Sequence, residues 1–103
     1  MTLLAATLWT VTAYAPGCGS TGLTKAGTTP VSGHVIAADP AVLPLGSIVH
    51  IEGMGRRQVQ DTGSAIRGRH LDVFVDSCAE ARRWGRQQRA VRILHTPTTS
   101  RRR

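Results

Sequence analysis

Residues 61–74, with the sequence DTGSAIRGRHLDVF, contain the most informative pattern in the chain. The stretch opens on an Asp-Thr-Gly turn and ends in an apolar strand that only Asp72 interrupts. Asp61 is therefore expected at a break between two elements, and Asp72 in the middle of a strand with buried neighbours. A carboxyl group that is partly removed from water has a raised pKa and can donate a proton near neutral pH. Both aspartates are candidate acid–base groups.

A third aspartate, Asp39, precedes Pro40 at the end of another apolar run. An aspartate before proline commonly accepts backbone N–H bonds in a turn, so Asp39 has a structural interpretation beside a catalytic one. Asp61 has the same alternative. Asp72 is the strongest of the three candidates, because an unpaired carboxylate in a buried strand is costly unless it is satisfied or used.

Length and composition predict one β-rich domain. A chain of 103 residues can form a single modest core, and eleven glycines and five prolines among many Thr and Val residues favour short strands joined by turns. The apolar patterns predict strands over residues 8–15, 34–38, 47–52, 56–60, 71–75 and 89–94, and a short helix over residues 78–85. The domain is expected to span residues 1–95, followed by a flexible basic tail over residues 96–103.

The cysteine and histidine spacings do not predict a metal site. Cys18 and Cys78 lie far apart, without the spacing of a zinc site or a thioredoxin-like motif, so a disulfide and two buried thiols are both compatible with the sequence. None of the four histidines is spaced from another as metal ligands are. No organic cofactor is indicated either.

The net charge of +7 suits an anionic polymer such as bacterial cell wall, but it also suits nucleic acid or a soluble surface. Nucleic acid is disfavoured because the chain has four aromatic residues and no evident stacking platform. The apolar start, residues 1–9, is too short to span a bilayer and lacks the features of a signal peptide. Any export signal is therefore expected to have been removed or to lie outside this sequence.

Six short motifs follow one another in order between residues 11 and 94. They are TAY at 12–14, VIAADP at 35–40, LPLGS at 43–47, DTGSAIRG at 61–68, LDVF at 71–74 and A-x-x-W-G at 81–85. This order resembles the 3D, or three-aspartate, domain of bacterial murein-degrading proteins, which include the lytic transglycosylase A type and the stationary-phase survival proteins.

The resemblance implies a six-stranded double-psi β-barrel, with one short helix before the last strand. It implies a secreted or envelope lytic transglycosylase that acts on peptidoglycan glycan strands and cleaves the bond between N-acetylmuramic acid and N-acetylglucosamine, leaving a 1,6-anhydromuramoyl product. Asp72 would be the general acid and base, with Asp61 and Asp39 as further catalytic residues. The implied substrate-binding residues are Tyr14, Thr24, Lys25, Thr62 and Gly63.

The sequence departs from the family pattern at two places, and other functions remain open. The usual Thr-x-Ser-Gly loop is TKAG at residues 24–27, and the usual Asp-Thr-Gly-Gly turn has Ser64 at its last position. One alternative is a non-catalytic carbohydrate-binding barrel of the expansin or barwin kind. A dimeric aspartic protease is another, since DTGS resembles the motif of that family, although here the motif falls late in the chain and follows Gln60. The oligomeric state is not predicted.

Overall fold

The computed structural model describes residues 6–20 and 22–97. Residues 1–5 of the predicted domain and residues 98–103 of the predicted tail lie outside this description. The described chain forms seven strands and one helix: β1 (Thr7–Pro16), β2 (Gly19–Ser20), β3 (Val35–Ala38), β4 (Ile48–Ile51), β5 (Gly55–Asp61), β6 (His70–Phe74), α1 (Cys78–Trp84) and β7 (Gln87–His95). The predicted β-rich class with one short helix before the last strand is confirmed.

Six of the strands are hydrogen-bonded in an order that returns to its start. The sheet order is β2-β1-β6-β3-β5-β4-β7, and β7 also pairs with β1. The β1–β6 and β3–β5 pairs are parallel, whereas β3–β6, β4–β5, β4–β7 and β1–β7 are antiparallel. Strands that are distant in sequence, such as β1 and β6, therefore lie side by side.

Alternation along the strands separates two apolar clusters. Side chains that face one another across paired strands lie on the same face of a sheet. One face carries the main core, which is centred on fully buried residues such as Val11, Ile36, Val59 and Leu71. The opposite face of β1, β3 and β6 carries a smaller buried cluster: Tyr14, Val35, Ala37, Ile66 and Phe74. Thr12 and Asp72 share this second face, because they alternate with core residues of the first.

Helix α1 begins and ends where its sequence predicts. The Ser77 hydroxyl accepts a hydrogen bond from the Glu80 N–H at 3.1 Å, which caps the first turn. Gly85 ends the helix with φ +67°, a conformation that other residues adopt at a cost. The indole N–H of Trp84 donates to the Val11 carbonyl at 2.9 Å and so attaches the helix to β1.

Strand β2 lies between the predicted strands over residues 8–15 and 34–38, where the sequence pattern predicts no strand. Ala15 and Pro16 pair in parallel with Gly19 and Ser20 after a tight reversal. A two-residue strand that is rich in glycine carries no apolar alternation, so its sequence resembles a turn. Cys18 lies in this reversal and forms a disulfide with Cys78 at the start of α1, which settles the question that the sequence left open.

Within residues 6–20 and 22–97, no helix combines the length and the apolar character that crossing a membrane requires.

Near the C-terminal end of the described residues, Pro97 lies against Gly46.

Candidate functional site

Asp61 and Asp72 lie in one row across three neighbouring strands. Ala37 of β3 is the register partner of Asp61 on β5 and of Asp72 on β6. With strands spaced about 4.8 Å apart, the Cα atoms of the two aspartates are separated by about 10 Å. The small side chain of Ala37, which is buried, lies between them in the row.

A β-bulge brings Asp61 into this row. Val59 pairs with Ile36, but the next residue of β3, Ala37, pairs with Asp61, which leaves Gln60 as the extra residue. Bulges commonly redirect a side chain beside a functional site. Without the bulge, Gln60 would pair with Ala37 and the Asp61 carboxylate would lie beyond the row.

Three donors fix the Asp61 carboxyl group. Its Oδ1 accepts the backbone N–H groups of Lys25 and Thr62 at 3.0 and 2.9 Å, and its Oδ2 accepts the Tyr14 hydroxyl at 3.2 Å. Four of the predicted site residues are therefore brought together. The Lys25 contact uses the main chain, and the Lys25 side chain is exposed.

Asp72 heads a short hydrogen-bonded chain that runs to His70. The Thr12 hydroxyl donates to Asp72 Oδ1 at 2.9 Å and lies 2.9 Å from His70 Nε2. Because the Thr12 hydrogen is used on an ionised Asp72, Nε2 is then the donor to the Thr12 oxygen. When Asp72 carries a proton, the chain can run in the opposite direction. The three side chains are held together by the parallel pairing of β1 with β6.

Burial raises the pKa of Asp72 above the ordinary aspartate value. The Thr12 hydroxyl and the neighbouring His70 oppose that rise, and the charge of Asp61 adds to it. Burial also lowers the pKa of His70; the charge of Asp72 opposes that decrease, and the charge of Arg86 adds to it. Asp72 therefore retains its proton to a higher pH than a free aspartate does, beside a histidine that favours its neutral form.

Tyr14 joins the Asp61 carboxyl group to the buried cluster. Its ring contacts Phe74 edge to face, with centroids 5.3 Å apart, and its hydroxyl reaches Asp61. Burial, followed by the charge of Asp61, raises the pKa of Tyr14 well above its ordinary value. Tyr14 is thus a fixed neutral donor across the physiological pH range.

The loop that follows Gly22 docks onto the end of β5. Thr24 is buried, and its hydroxyl lies 2.6 Å from the Thr28 hydroxyl and accepts the Thr28 N–H. Thr28 in turn donates to Gln60 Oε1, and the Ala26 N–H donates to the Gln60 carbonyl. Thr24 therefore shapes the loop that presents Lys25 to Asp61.

The turn after Asp61 depends on Gly63. A Cβ atom at this position would lie 3.0 Å from Ile66 Cγ1, closer than most real Cβ contacts, so Ile66 would have to shift. Ile66 is buried in the second cluster, and its N–H donates to the Gly63 carbonyl at 3.0 Å. A larger residue at position 63 would displace Ile66 and the turn that orients Asp61.

Asp39 lies in a capping position. Its Oδ1 accepts the Ala41 N–H at 3.0 Å, and its Oδ2 accepts the Gly68 N–H at 2.9 Å. These two hydrogen bonds lower the pKa of Asp39, and the bond from the Gly68 N–H has the larger effect. The structure thus joins Asp39 to the segment that leads into β6, whereas Asp61 and Asp72 share the row through Ala37.

Two contributors to the site were not identified as site residues from the sequence. Thr12 was recognised only as part of a matching motif, and His70 was not included in the implied site. The period of two in β1 was the available signal for Thr12, because it places Thr12 and Tyr14 on the same face. The contact with Asp72 depends on the β1–β6 pairing, which no local pattern specifies.

Replacing Thr12 with valine is expected to raise the pKa of Asp72. Valine keeps the shape of threonine but removes the hydroxyl that donates to the carboxylate. Carbon-detected NMR titration of the Asp72 carboxyl group measures the change. The matched control is Thr10→Val, which removes a hydroxyl that accepts from Gln88 on the same strand. An unchanged or lowered Asp72 pKa in Thr12→Val would contradict this arrangement.

Replacing Asp39 with asparagine is expected to lower the thermal stability near neutral pH but not in acid. The folded-state pKa of Asp39 is lowered, so its stabilising effect is complete above the unfolded value of about 3.9 and disappears as the pH falls through the folded value. The difference in melting temperature from the wild type should therefore be largest near neutral pH and vanish in acid. A difference in melting temperature that stays constant from neutral to acid pH would count against the capping role. Asp76→Asn, at an exposed position, is the control.

The comparisons with known proteins agree with the motif order. The 3D domain family matches residues 34–95. The chain is 44% identical over 88 residues to YabE of Bacillus subtilis (strain 168), which is named as a cell wall shaping protein, and the match covers 82% of this chain and 22% of YabE. It is 42% identical over 90 residues to the cell wall-binding protein YocH of the same organism, covering 84% of this chain and 31% of YocH.

Solved structures share the fold at low sequence identity. The crystal structure of MltA from E. coli has a TM-score of 0.59 at 21% identity, covering 73% of this chain and 28% of MltA. The lytic transglycosylase LtgG of Burkholderia pseudomallei has a TM-score of 0.50 at 20% identity, covering 74% of this chain and 28% of LtgG. The chain spans less than a third of the length of each of these four proteins. The family match covers most of the chain, and the chain therefore belongs to the 3D domain family.

Proposed function

We propose that this domain is a peptidoglycan lytic transglycosylase that cleaves the bond between N-acetylmuramic acid and N-acetylglucosamine and forms a 1,6-anhydromuramoyl product. The observation that carries the proposal is the position of Asp72, half-buried among apolar neighbours on the face that also holds Asp61. The proposal is supported by membership of the 3D domain family, by the cell-wall names of YabE and YocH, and by a fold shared with MltA and LtgG.

In the proposed reaction, neutral Asp72 donates its proton to the glycosidic oxygen as the bond from that oxygen to the muramoyl anomeric carbon breaks. The Asp72 carboxylate then accepts the proton of the muramoyl 6-hydroxyl, whose oxygen bonds to the same anomeric carbon. Asp72 ends in its starting state and no water is consumed. A single well-placed acid is therefore sufficient, unlike the two carboxyl groups of ordinary glycoside hydrolysis.

The other residues have distinct proposed roles. Asp61 favours the protonated form of Asp72 and supports the positive charge that develops on the sugar ring. Tyr14, Thr62 and Gly63 hold Asp61 in place and line the approach of substrate. Lys25, whose backbone N–H contacts Asp61, is exposed, and its ammonium group can hold a substrate carboxylate or carbonyl. Asp39 and Thr24 support the segments that carry the site.

The proposal extends to architecture and setting. The closed order of six strands is compatible with a double-psi β-barrel, with the domain at residues 1–95 and the basic tail at residues 96–103. The partner would be glycan strands of peptidoglycan, and the location would be secreted or in the cell envelope.

The test is incubation of the protein with purified peptidoglycan in ¹⁸O-labelled water, followed by mass spectrometry of the released muropeptides. The proposal predicts anhydromuropeptides that contain no ¹⁸O. Products with ¹⁸O at the muramoyl end would indicate hydrolysis instead. Binding to peptidoglycan without any product would favour the second candidate, a non-catalytic wall-binding domain, which the name of YocH favours.

A further inference from the structure

A basic cleft lies next to the proposed catalytic site. It has a volume of about 610 Å³, and the residues that line it include Gln60, the residue before Asp61. Its walls include His34, Ile48, Arg56, Gln58 and Gln60, with no acidic side chain among the residues that line it. Arg56 and His34 are exposed, so the Arg56 guanidinium group and the His34 ring are available to a ligand.

The basic character continues across the neighbouring strands. His50 of β4 is the register partner of Arg56 on β5 and of Arg92 on β7. Paired residues project from the same face, so these three side chains form a row beside the cleft. Such a row attracts an anionic ligand.

The polar floor of the cleft is already organised. The Gln60 amide donates to Gln58 Oε1 at 2.8 Å, and Gln60 Oε1 accepts the Thr28 hydroxyl at 2.5 Å. These bonds hold two amide side chains along the strand before a ligand arrives. Pre-organised donors and acceptors reduce the entropic cost of binding an extended chain.

The dimensions fit a short peptide. Asp61 and Arg56 are five positions apart on β5, a distance of about 17 Å. An extended peptide of about five residues covers the same distance. A ligand whose sugar occupies the row between Asp61 and Asp72 can therefore place a peptide along β5 and its terminal carboxylate near Arg56.

We propose that this cleft binds the acidic stem peptide of the muramoyl residue whose glycosidic bond lies at Asp72. The inference rests on the proposed function and extends it, because it assigns a preference for glycan strands that carry peptides. Arg56 is the expected contact for a free carboxylate, with His34 and the Arg56–His50–Arg92 row adding to the attraction. Gln58 and Gln60 would contact the peptide backbone.

The test uses the Asp72→Asn variant, so that no ligand is consumed. Calorimetry compares a disaccharide pentapeptide with the same disaccharide after removal of its peptide. The peptide-bearing ligand is expected to bind about tenfold more tightly, as one charge-assisted contact provides. Adding Arg56→Gln should remove most of that preference, whereas Arg82→Gln, which removes an exposed charge from α1, should leave it intact. Circular dichroism confirms that each variant is folded.

The proposal would be overturned by equal binding of the two ligands, by a preference that survives Arg56→Gln, or by equally tight binding of the disaccharide pentapeptide after its carboxylates are amidated. Tighter binding of poly(glycerol phosphate) than of the peptide ligand would also overturn it, in favour of a wall polymer. Failure of the proposed function is distinguishable. If the wild-type protein forms no anhydro product but binds the peptide-bearing ligand more tightly in a way that depends on Arg56, the proposed activity is wrong and the proposed peptide site stands.

Discussion

Replacing Asp72 with asparagine is expected to reduce the formation of anhydro product by about a hundredfold or more, the usual contribution of a general acid. Asparagine has nearly the shape of aspartate and can still accept the Thr12 hydroxyl, but it has no proton to give to a leaving oxygen. The measurement is the initial rate of anhydromuropeptide release from purified peptidoglycan, quantified by mass spectrometry.

The same variant is expected to remain folded and to be at least as stable as the wild type at pH 7. The pKa of Asp72 is raised in the folded state, so ionisation of this group opposes folding as the pH rises above the unfolded value of about 3.9. An asparagine does not ionise. Asp76→Asn, at an exposed position just beyond β6, is the matched control and should keep full activity. Unchanged turnover in Asp72→Asn would remove Asp72 from the proposed role.

Removing the Cys18–Cys78 disulfide is expected to lower the free energy of unfolding by about 4 kcal/mol. The two cysteines are separated by 60 positions, and the chain-entropy description gives about this value for a loop of that length. The bridge attaches the reversal after β1 to the first residue of α1. Without it, the unfolded chain gains freedom while the folded contacts of both core clusters are kept.

Denaturant unfolding of the Cys18→Ser/Cys78→Ser double variant measures this loss. The wild type under reducing conditions should unfold at the same denaturant concentration as the double variant, which provides an internal control. A difference from the oxidised wild type of less than about 1 kcal/mol would show that the bridge contributes little beyond the packing that surrounds it.

The strands of this fold could be predicted because, in most of them, residues that face the main core alternate with residues on the opposite face of the sheet. Apolar residues alternate along β1, β4 and β7, and the predicted bounds of six strands and the helix differ from the observed ones by at most two residues. Strand β2 could not be read, because two residues in a glycine-rich reversal carry no period. The disulfide was left open for a similar reason, since sequence spacing does not reveal which loops meet.

The site was only partly readable for a different reason. Asp61 and Asp72 have local signatures, a turn and an interrupted apolar strand, but their convergence depends on β3 lying between β5 and β6. The bulge at Gln60 and the contacts of Thr12 with Asp72 and His70 depend on the same long-range pairing. Asp39 had two interpretations in the sequence, and its observed contacts are those of a turn cap.

The proposed mechanism requires Asp72 to hold a proton at a pH where an ordinary aspartate has lost it. Carbon-detected NMR titration of the wild-type protein, with the Asp72 carboxyl signal assigned by comparison with Asp72→Asn, measures this directly. We expect a pKa above the ordinary value of about 3.9, with a second small shift of the same signal as His70 titrates. A pKa at or below that value would leave the site without its proton donor and would contradict the proposed mechanism.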